Sequence, residues 1–585
     1  MGGYKDIDIM VARIRRKRRV VLAVAILALV TIAMVATGRL QWRNYAGSRW
    51  RNGWGEHTAD YSCAGTRLDP AVLDPAGLGL GNGTQPFALV AGARMGEAGR
   101  ILNVAAGQPV CVRVVVPPVE TGEGFAVERY QPPAGHAGLW DSMLVDAVGA
   151  ATGVSAAVAM TAVAHMRMAE RRAVHVYEGD VRLYDADSYA VGGVVEFRDA
   201  QWNYEPPTPV PERLEPEQIQ VAAGTLIRVN VPPSSPYHPS KYAALPACIN
   251  ADAPGRWVAT GAARARGATG LPTYSGRVWL PYTCRLQGYT YNEFLRCLDS
   301  GRPLASNSSA GGGAYAIHWF GDTSTRRALK KITSLGDWCA TGSVASNQQR
   351  CQCDDSGEVF ARFTGQNSVR NTLIELNDED GGWSVRENGN ARHRERSAPL
   401  ARIYYHRWEG LTSYNGASDW RRALAPEELH AYPRADLVVI ALGTLDAALT
   451  PFLEYTQQLD DLVALLKKSY AGRHIVLRSP QFACCRLPAG KPLRRFQKDR
   501  NRLFGDYAAR LFAQHFGPLV HFWDVARIAE ALPAAARRKT AACPVGDVPA
   551  ALVEVENHLL ANSLCNLDPF SANAAHAGAD ALELA

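Results

Sequence analysis

The sequence lacks a strong charge of either sign. Its 585 residues carry 63 Lys and Arg against 56 Asp and Glu, a formal charge of +7. Part of that excess sits in one run, Arg13–Arg19 (RIRRKRR). Net charge therefore gives no reason to expect a nucleic-acid partner. Paired CxxC motifs at zinc-holding spacing are missing as well, so no metal centre is expected, and the reading includes no cofactor. Repeats are nearly absent. One echo, VAAG followed by a valine-rich strand and VPP, begins at Val104 and again at Val221, and two copies are too few for a solenoid. Long apolar runs are scarce, with one exception near the start. What remains, at 47% hydrophobic and 20% charged, is ordinary globular material of multidomain length.

The exception is Val20–Thr37, 18 residues without a charge, at the short end of what spans a bilayer. It exceeds the apolar core of a usual signal peptide, and Gly38-Arg39-Leu40-Gln41 is a poor cleavage site. The expectation is a basic cytoplasmic tail over 1–19, a membrane anchor over 20–38 and a luminal remainder. That is a single-pass type II protein of the secretory pathway, placed in the Golgi, with the membrane as a partner through this one helix. All 12 cysteines follow the anchor; an even count in a luminal chain allows disulfides, with connectivity left open. The sequons at Asn82 and Asn307 are glycosylation candidates on the same side.

Residues 39–98 read as a stem. From 99 to 240 short turn-separated strands follow: Val110–Val116, Ala173–Tyr177, Asp180–Tyr184, Val191–Phe197 and Leu226–Val231. These point to an antiparallel, Ig-like β-sandwich. Ala151–Ala169 reads equally as a strand pair or a helix. Over 241–585 the pattern changes. Ala314–Leu335 is an apolar strand, a Gly321-Asp322 turn and an amphipathic helix. Asp436–Leu442, His474–Leu477 and Val520–Trp523 are further apolar strands, and Phe452–Tyr470 and Asp499–Phe516 are amphipathic helices between them. Strands alternating with helices predict an α/β fold with a doubly wound parallel sheet buried on both faces. Ligands bind such sheets outside the carboxyl ends of the strands, where Gly321, Asp322, Thr323 and Ser324 would lie.

Several blocks in order carry a family resemblance. They are Gly255-Arg256-Trp257-Val258, Trp279–Cys284 (WLPYTC), Phe294–Leu298 (FLRCL), Ile317–Arg327 (IHWFGDTSTRR), Asp436–Gly443, Val476–Pro480 (VLRSP), Phe522–Val525 (FWDV) and a C-terminal Asn573-x-x-His576. Together they resemble the SGNH-like PC-esterase group: the trichome-birefringence-like, neurexophilin-and-PC-esterase and capsule-polysaccharide O-acetylation proteins. The resemblance implies an SGNH-like domain in which the GDS hydroxyl attacks an acyl carbon. The DxxH histidine removes its proton, and backbone N–H groups of the turn stabilise the oxyanion.

Carried over, this puts Thr323 or the adjacent Ser324 as nucleophile and His576 as base, with Asn573 or another acceptor such as Asp568 orienting it. Gly321, Asp322 and Gly443 form the turn and oxyanion site, and Arg326 and Arg478 are substrate-binding candidates. Three positions depart from the pattern. Thr323 replaces the serine, Asn573 replaces the aspartate, and Asp446 stands where many SGNH hydrolases have an oxyanion-hole Asn. The implied function is a luminal glycan O-acyl (acetyl) transferase or esterase acting on a glycan or polysaccharide with an unidentified acyl donor. The alternative is an inactive relative that binds glycan or protein.

Overall fold

A computed structural model of the chain describes residues 60–566, apart from short segments and the longer stretches 67–84, 118–140, 198–216, 301–314, 337–371, 388–400, 482–497 and 537–549. The expected anchor over 20–38, both sequons, Asn573 and His576 lie outside the described residues. Among the described residues no helix is long and apolar enough to cross a membrane.

The N-terminal half is built from strands β1 (Phe87–Val90), β2 (Ile101–Ala105), β3 (Pro109–Val116), β4 (Ser142–Gly149), β5 (Ser155–Val158), β6 (Thr161–Arg167), β7 (Ala173–Arg182), β8 (Asp187–Phe197), β9 (Glu217–Gln218), β10 (Gln220–Val221) and β11 (Leu226–Asn230). They form two sheets, ordered β10-β1-β3-β7-β6 and β2-β11-β8-β4-β5. Val110, Val112 and Val114 of β3 face Val145 and Ala147 of β4 in a shared core. Two expectations change here. The strands expected at Ala173–Tyr177 and Asp180–Tyr184 are one continuous strand, β7, in which Gly179 passes so close to the residue after β5 that an added Cβ would lie 2.1 Å from the Ala159 carbonyl oxygen. The sandwich is also not wholly antiparallel, since β10 runs parallel to β1 and β11 parallel to β2. The open stretch Ala151–Ala169 resolves into β5 and β6, one in each sheet. Of the VAAG echo, the first copy starts in β2 of the second sheet and precedes β3 of the first, and the second copy starts in β10 of the first sheet and precedes β11 of the second. β1 falls inside the stretch expected as stem, yet it pairs with β3, and Cys63 of the same stretch is disulfide-bonded to Cys111.

A small sheet of β12 (Gly255–Ala259), β13 (Thr273–Tyr274) and β14 (Arg277–Pro281) follows. Two of its aromatic and basic residues make internal contacts. Arg256 is buried and pairs with Asp185 of the sandwich at 2.9 Å, and the Trp257 indole donates to the Ile528 carbonyl at 2.7 Å.

The third sheet contains β15 (Tyr315–Gly321), β16 (Thr372–Leu376), β17 (Trp383–Glu387), β18 (Ala401–Arg407), β19 (Leu437–Ala441), β20 (His474–Arg478) and β21 (Val520–Trp523), in the order β17-β16-β18-β15-β19-β20-β21. β18, β15, β19, β20 and β21 are mutually parallel, and β16 and β17 extend the sheet antiparallel. Counted along the chain, the parallel strands run 2-1-3-4-5, the doubly wound order whose switch point lies between the first and third strands. The helices used below are α1 (Tyr291–Ser300), α2 (Thr323–Thr333), α3 (Thr444–Leu449), α4 (Phe452–Ser469), α5 (Lys498–Phe516), α6 (Val525–Glu530) and α7 (Ala550–Cys565). Trp319, Val439 and Val476 pack with Leu329 of α2 and Leu559 of α7 on one face. Their neighbours Phe320, Ile440 and Leu477 pack with Leu462 of α4 and Phe504 of α5 on the other. Two cores explain why these strands are apolar at every position.

Two features hold this frame. Cys297 of α1 is bonded to Cys565 of α7 across 268 residues of sequence. Such a closure restricts the unfolded chain strongly, so Cys297→Ser with Cys565→Ser should lower unfolding free energy by about 2–5 kcal/mol, read from denaturant midpoints at fixed protein concentration. A loss below about 0.5 kcal/mol would remove this role. His558, also on α7, is buried and sits 2.6 Å from the Gln287 carbonyl through Nε2. Burial holds its imidazole down at about 4. The folded state therefore resists a proton that the unfolded state accepts, so stability is lost as pH falls from about 6.5 towards about 4. His558→Gln should flatten that decline by roughly 3 kcal/mol; parallel stability–pH curves for the two proteins would contradict the assignment.

Candidate functional site

The site is built where β15 ends. Gly321 closes the strand with no room for a side chain: an added Cβ would lie 2.5 Å from Thr325 Cγ2 and 2.9 Å from Ala441 Cβ. Asp322 then caps α2. Its Oδ1 accepts the backbone N–H groups of Ser324 at 3.0 Å and Thr325 at 3.2 Å, satisfying donors that a helix start otherwise leaves open. Thr323 is the first residue of α2. It thus lies at the carboxyl edge of the first parallel strand, beside the switch point.

Ser324 is enclosed. It is 4% exposed, its hydroxyl donates to Asp322 Oδ1 at 2.6 Å, and it accepts from Arg478 Nη1 at 3.2 Å. The Ser324 hydroxyl thus links the turn to β20 through Asp322 and Arg478. Arg478 ends β20, and its partners are inside the protein. Nη2 donates to Gln481 Oε1 at 2.6 Å and to Glu556 Oε2 at 3.0 Å, and the guanidinium lies 5.2 Å from the Trp523 ring centroid. The Arg478 and Glu556 side chains are both 0% exposed. Burial pushes the Glu556 carboxyl upward while Arg478 and Gln481 pull it down. Arg478, expected as a substrate-binding residue, pairs its charge with Glu556 of α7. Arg326 is likewise buried, at 4% exposed, in a helix whose described residues are all buried.

The second wall of the crevice is the β19 end. Gly443 has φ of +97° and lies against Pro480, whose Cγ would be 2.7 Å from an added Cβ. Its N–H donates to Asp446 Oδ2 at 3.1 Å, while Asp446 Oδ1 accepts from Leu411 N–H at 2.7 Å. Gly443 is therefore not an open oxyanion donor. The carboxylate at position 446 is an acceptor, and it ties up the N–H that the expectation left facing the crevice. Past Pro480 the edge opens into a cavity of about 220 Å³, lined in part by Leu442, Ser479, Asn501, Arg502, Asp506 and Trp523.

The structure thus brings Gly321, Asp322, Thr323, Ser324, Gly443 and Arg478 to one sheet edge. His318, on the strand before the turn, points into the core, with Nδ1 2.7 Å from the Tyr470 hydroxyl. Sequence reasoning missed Glu556, Gln481 and the role of Asp446. Glu556 had one weak signal, a carboxylate between Val555 and Leu559 in a helix whose polar residues also include Glu554, Asn557, His558 and Asn562. No carboxylate–histidine–cysteine cluster suited to a metal occurs among the described residues beyond Cys63, Cys111 and Glu178, and those two cysteines are joined as a disulfide.

No protein-family model matches the chain, and no curated protein does. Among solved structures it is similar to a peptidoglycan O-acetylesterase, at 14% identity and a TM-score of 0.27, over 47% of this chain and 97% of that one. It is also similar to Est24, a carbohydrate acetylesterase from Sinorhizobium meliloti, at 15% identity and a TM-score of 0.26, over 43% of this chain and 100% of that one.

Proposed function

We propose that this chain is an SGNH-like esterase or O-acyl (acetyl) transferase acting on glycan hydroxyl groups, within the PC-esterase group. One observation carries the reading. The strand–Gly321-Asp322-Thr323–helix unit ends the first strand of a 2-1-3-4-5 parallel sheet, beside its switch point, where open α/β sheets hold their ligands. In this reading Thr323 supplies the attacking oxygen, which bonds to the acyl carbon as His576 takes the hydroxyl proton. The same histidine then returns a proton to the departing alkoxide, and the acyl group passes to water or to a glycan hydroxyl. Asn573 orients the imidazole. The oxyanion donor in this reading is a backbone N–H of the turn other than those of Ser324 and Thr325, which Asp322 holds, and of Gly443, which Asp446 holds. The cavity at the ends of β20 and β21, with the carboxylate of Asp506, the amide of Asn501 and the guanidinium of Arg502 in its lining, offers polar groups that suit a sugar ring. Three disulfides fit an oxidising compartment, in keeping with a luminal domain behind an anchor at 20–38.

A second reading has its own observation. Ser324 Oγ and Gly443 N–H, two groups that acyl transfer could use, are both committed to internal hydrogen bonds. On that ground the chain would be a binding relative without turnover. Ester hydrolysis and acetyl transfer by wild type, Thr323→Ala, Ser324→Ala and His576→Ala separate the two. If all four proteins behave alike, the catalytic reading is lost.

A further inference from the structure

A pair of histidines lies away from the crevice. His474 begins β20 and His521 is the second residue of β21, on neighbouring parallel strands. His474 Nδ1 and His521 Nε2 are 3.0 Å apart, with the rings inclined by 28°. Both side chains are half-buried. The strand pairing fixes the two backbones, so the separation is set by the sheet and not by flexible loops.

That separation matches a specific coordination. With metal–nitrogen bonds of ~2.0–2.1 Å, two ligands at right angles stand about 2.9 Å apart, while a tetrahedral pair needs roughly 3.3 Å. We propose that His474 and His521 form a two-histidine site for a divalent transition-metal ion of square or octahedral preference, Cu²⁺ or Ni²⁺, with water completing its shell. Burial holds both imidazoles below their ordinary value, and at His521 the neighbouring His474 adds to it, so the neutral, ligating form prevails at pH 7. Without an ion the same atoms share one hydrogen, one ring donating and the other accepting. When the ion binds, the donor ring's hydrogen moves to its other ring nitrogen by exchange with solvent, so both facing nitrogens offer lone pairs and both imidazoles stay neutral. The ion links β20 to β21, which ends the sheet order, and so would tie the last strand to the sheet.

The test uses the full chain after dialysis against chelator. Calorimetric titration with Cu²⁺ or Ni²⁺ should reveal one equivalent that weakens at least about tenfold in His474→Gln and again in His521→Gln. Isotherms unchanged by either substitution would overturn the site, since the other histidines would then account for all binding. Should a variant fail to fold, electron paramagnetic resonance of wild type loaded with one equivalent of Cu²⁺ decides alone. Two coupled equatorial imidazole nitrogens support the pair, and one or none refutes it.

Discussion

Glu556→Ala is expected to destabilise the protein by about 3–5 kcal/mol. The carboxylate faces Arg478 in a region without solvent, at 3.0 Å and with both side chains 0% exposed. Removing it leaves a guanidinium whose burial is no longer balanced by an opposite charge. Gln481 also loses its contact to Glu556 Oε1 at 3.3 Å. Because Arg478 also donates to Ser324 Oγ, the disturbance should reach the start of α2. The double variant Arg478→Met/Glu556→Leu removes both charges and should recover most of the loss, since apolar replacement of a buried pair is often neutral. Urea unfolding of the three proteins measures this directly. A Glu556→Ala loss under about 1 kcal/mol, or a double variant no better than the single, would contradict the ion-pair account.

In the proposed acyl chemistry, Thr323→Ala should reduce ester turnover by at least about 10³-fold, with His576→Ala similar, as expected for residues that act as a unit. Ser324→Ala should stay within a few-fold of wild type, because its hydroxyl is already held between Asp322 and Arg478. Asn573→Asp should raise turnover, since a charged partner stabilises the imidazolium that a neutral amide does not. Activity that disappears in Ser324→Ala but survives in Thr323→Ala would reverse the nucleophile assignment. A panel covering a small aryl acetate and an O-acetylated oligosaccharide distinguishes general esterase activity from glycan selectivity. The comparison rests on kcat/KM, which reads transition-state stabilisation.

The local elements were legible because their causes are local. Continuous apolar runs flanked by Gly and Asp define β15 and β19, and 3.6-residue spacing of Leu459, Leu462, Val463 and Leu466 defines α4. The Gly321-Asp322 turn could be read for the same reason: a Cβ-free residue and a capping carboxylate act on their immediate neighbours. The sequence by itself therefore determined the α/β class, the strand-rich first half and the place of Thr323 at a strand end.

Only the tertiary structure decided which groups meet. Spatial order 2-1-3-4-5 depends on β18 inserting beside β15, a pairing fixed by shared burial and not by any residue pattern within either strand. The partners of Cys63, Cys248 and Cys297 were open in the same way. Glu556 lies 78 residues from Arg478, and nothing in a helix's periodicity says which buried cation its carboxylate will meet. The Gly443 N–H appeared available until Asp446 was seen to accept it. Propensity and spacing act over one or two turns of chain. Ion pairing, disulfide choice and hydrogen-bond competition act over distances that exist only after the layers have packed.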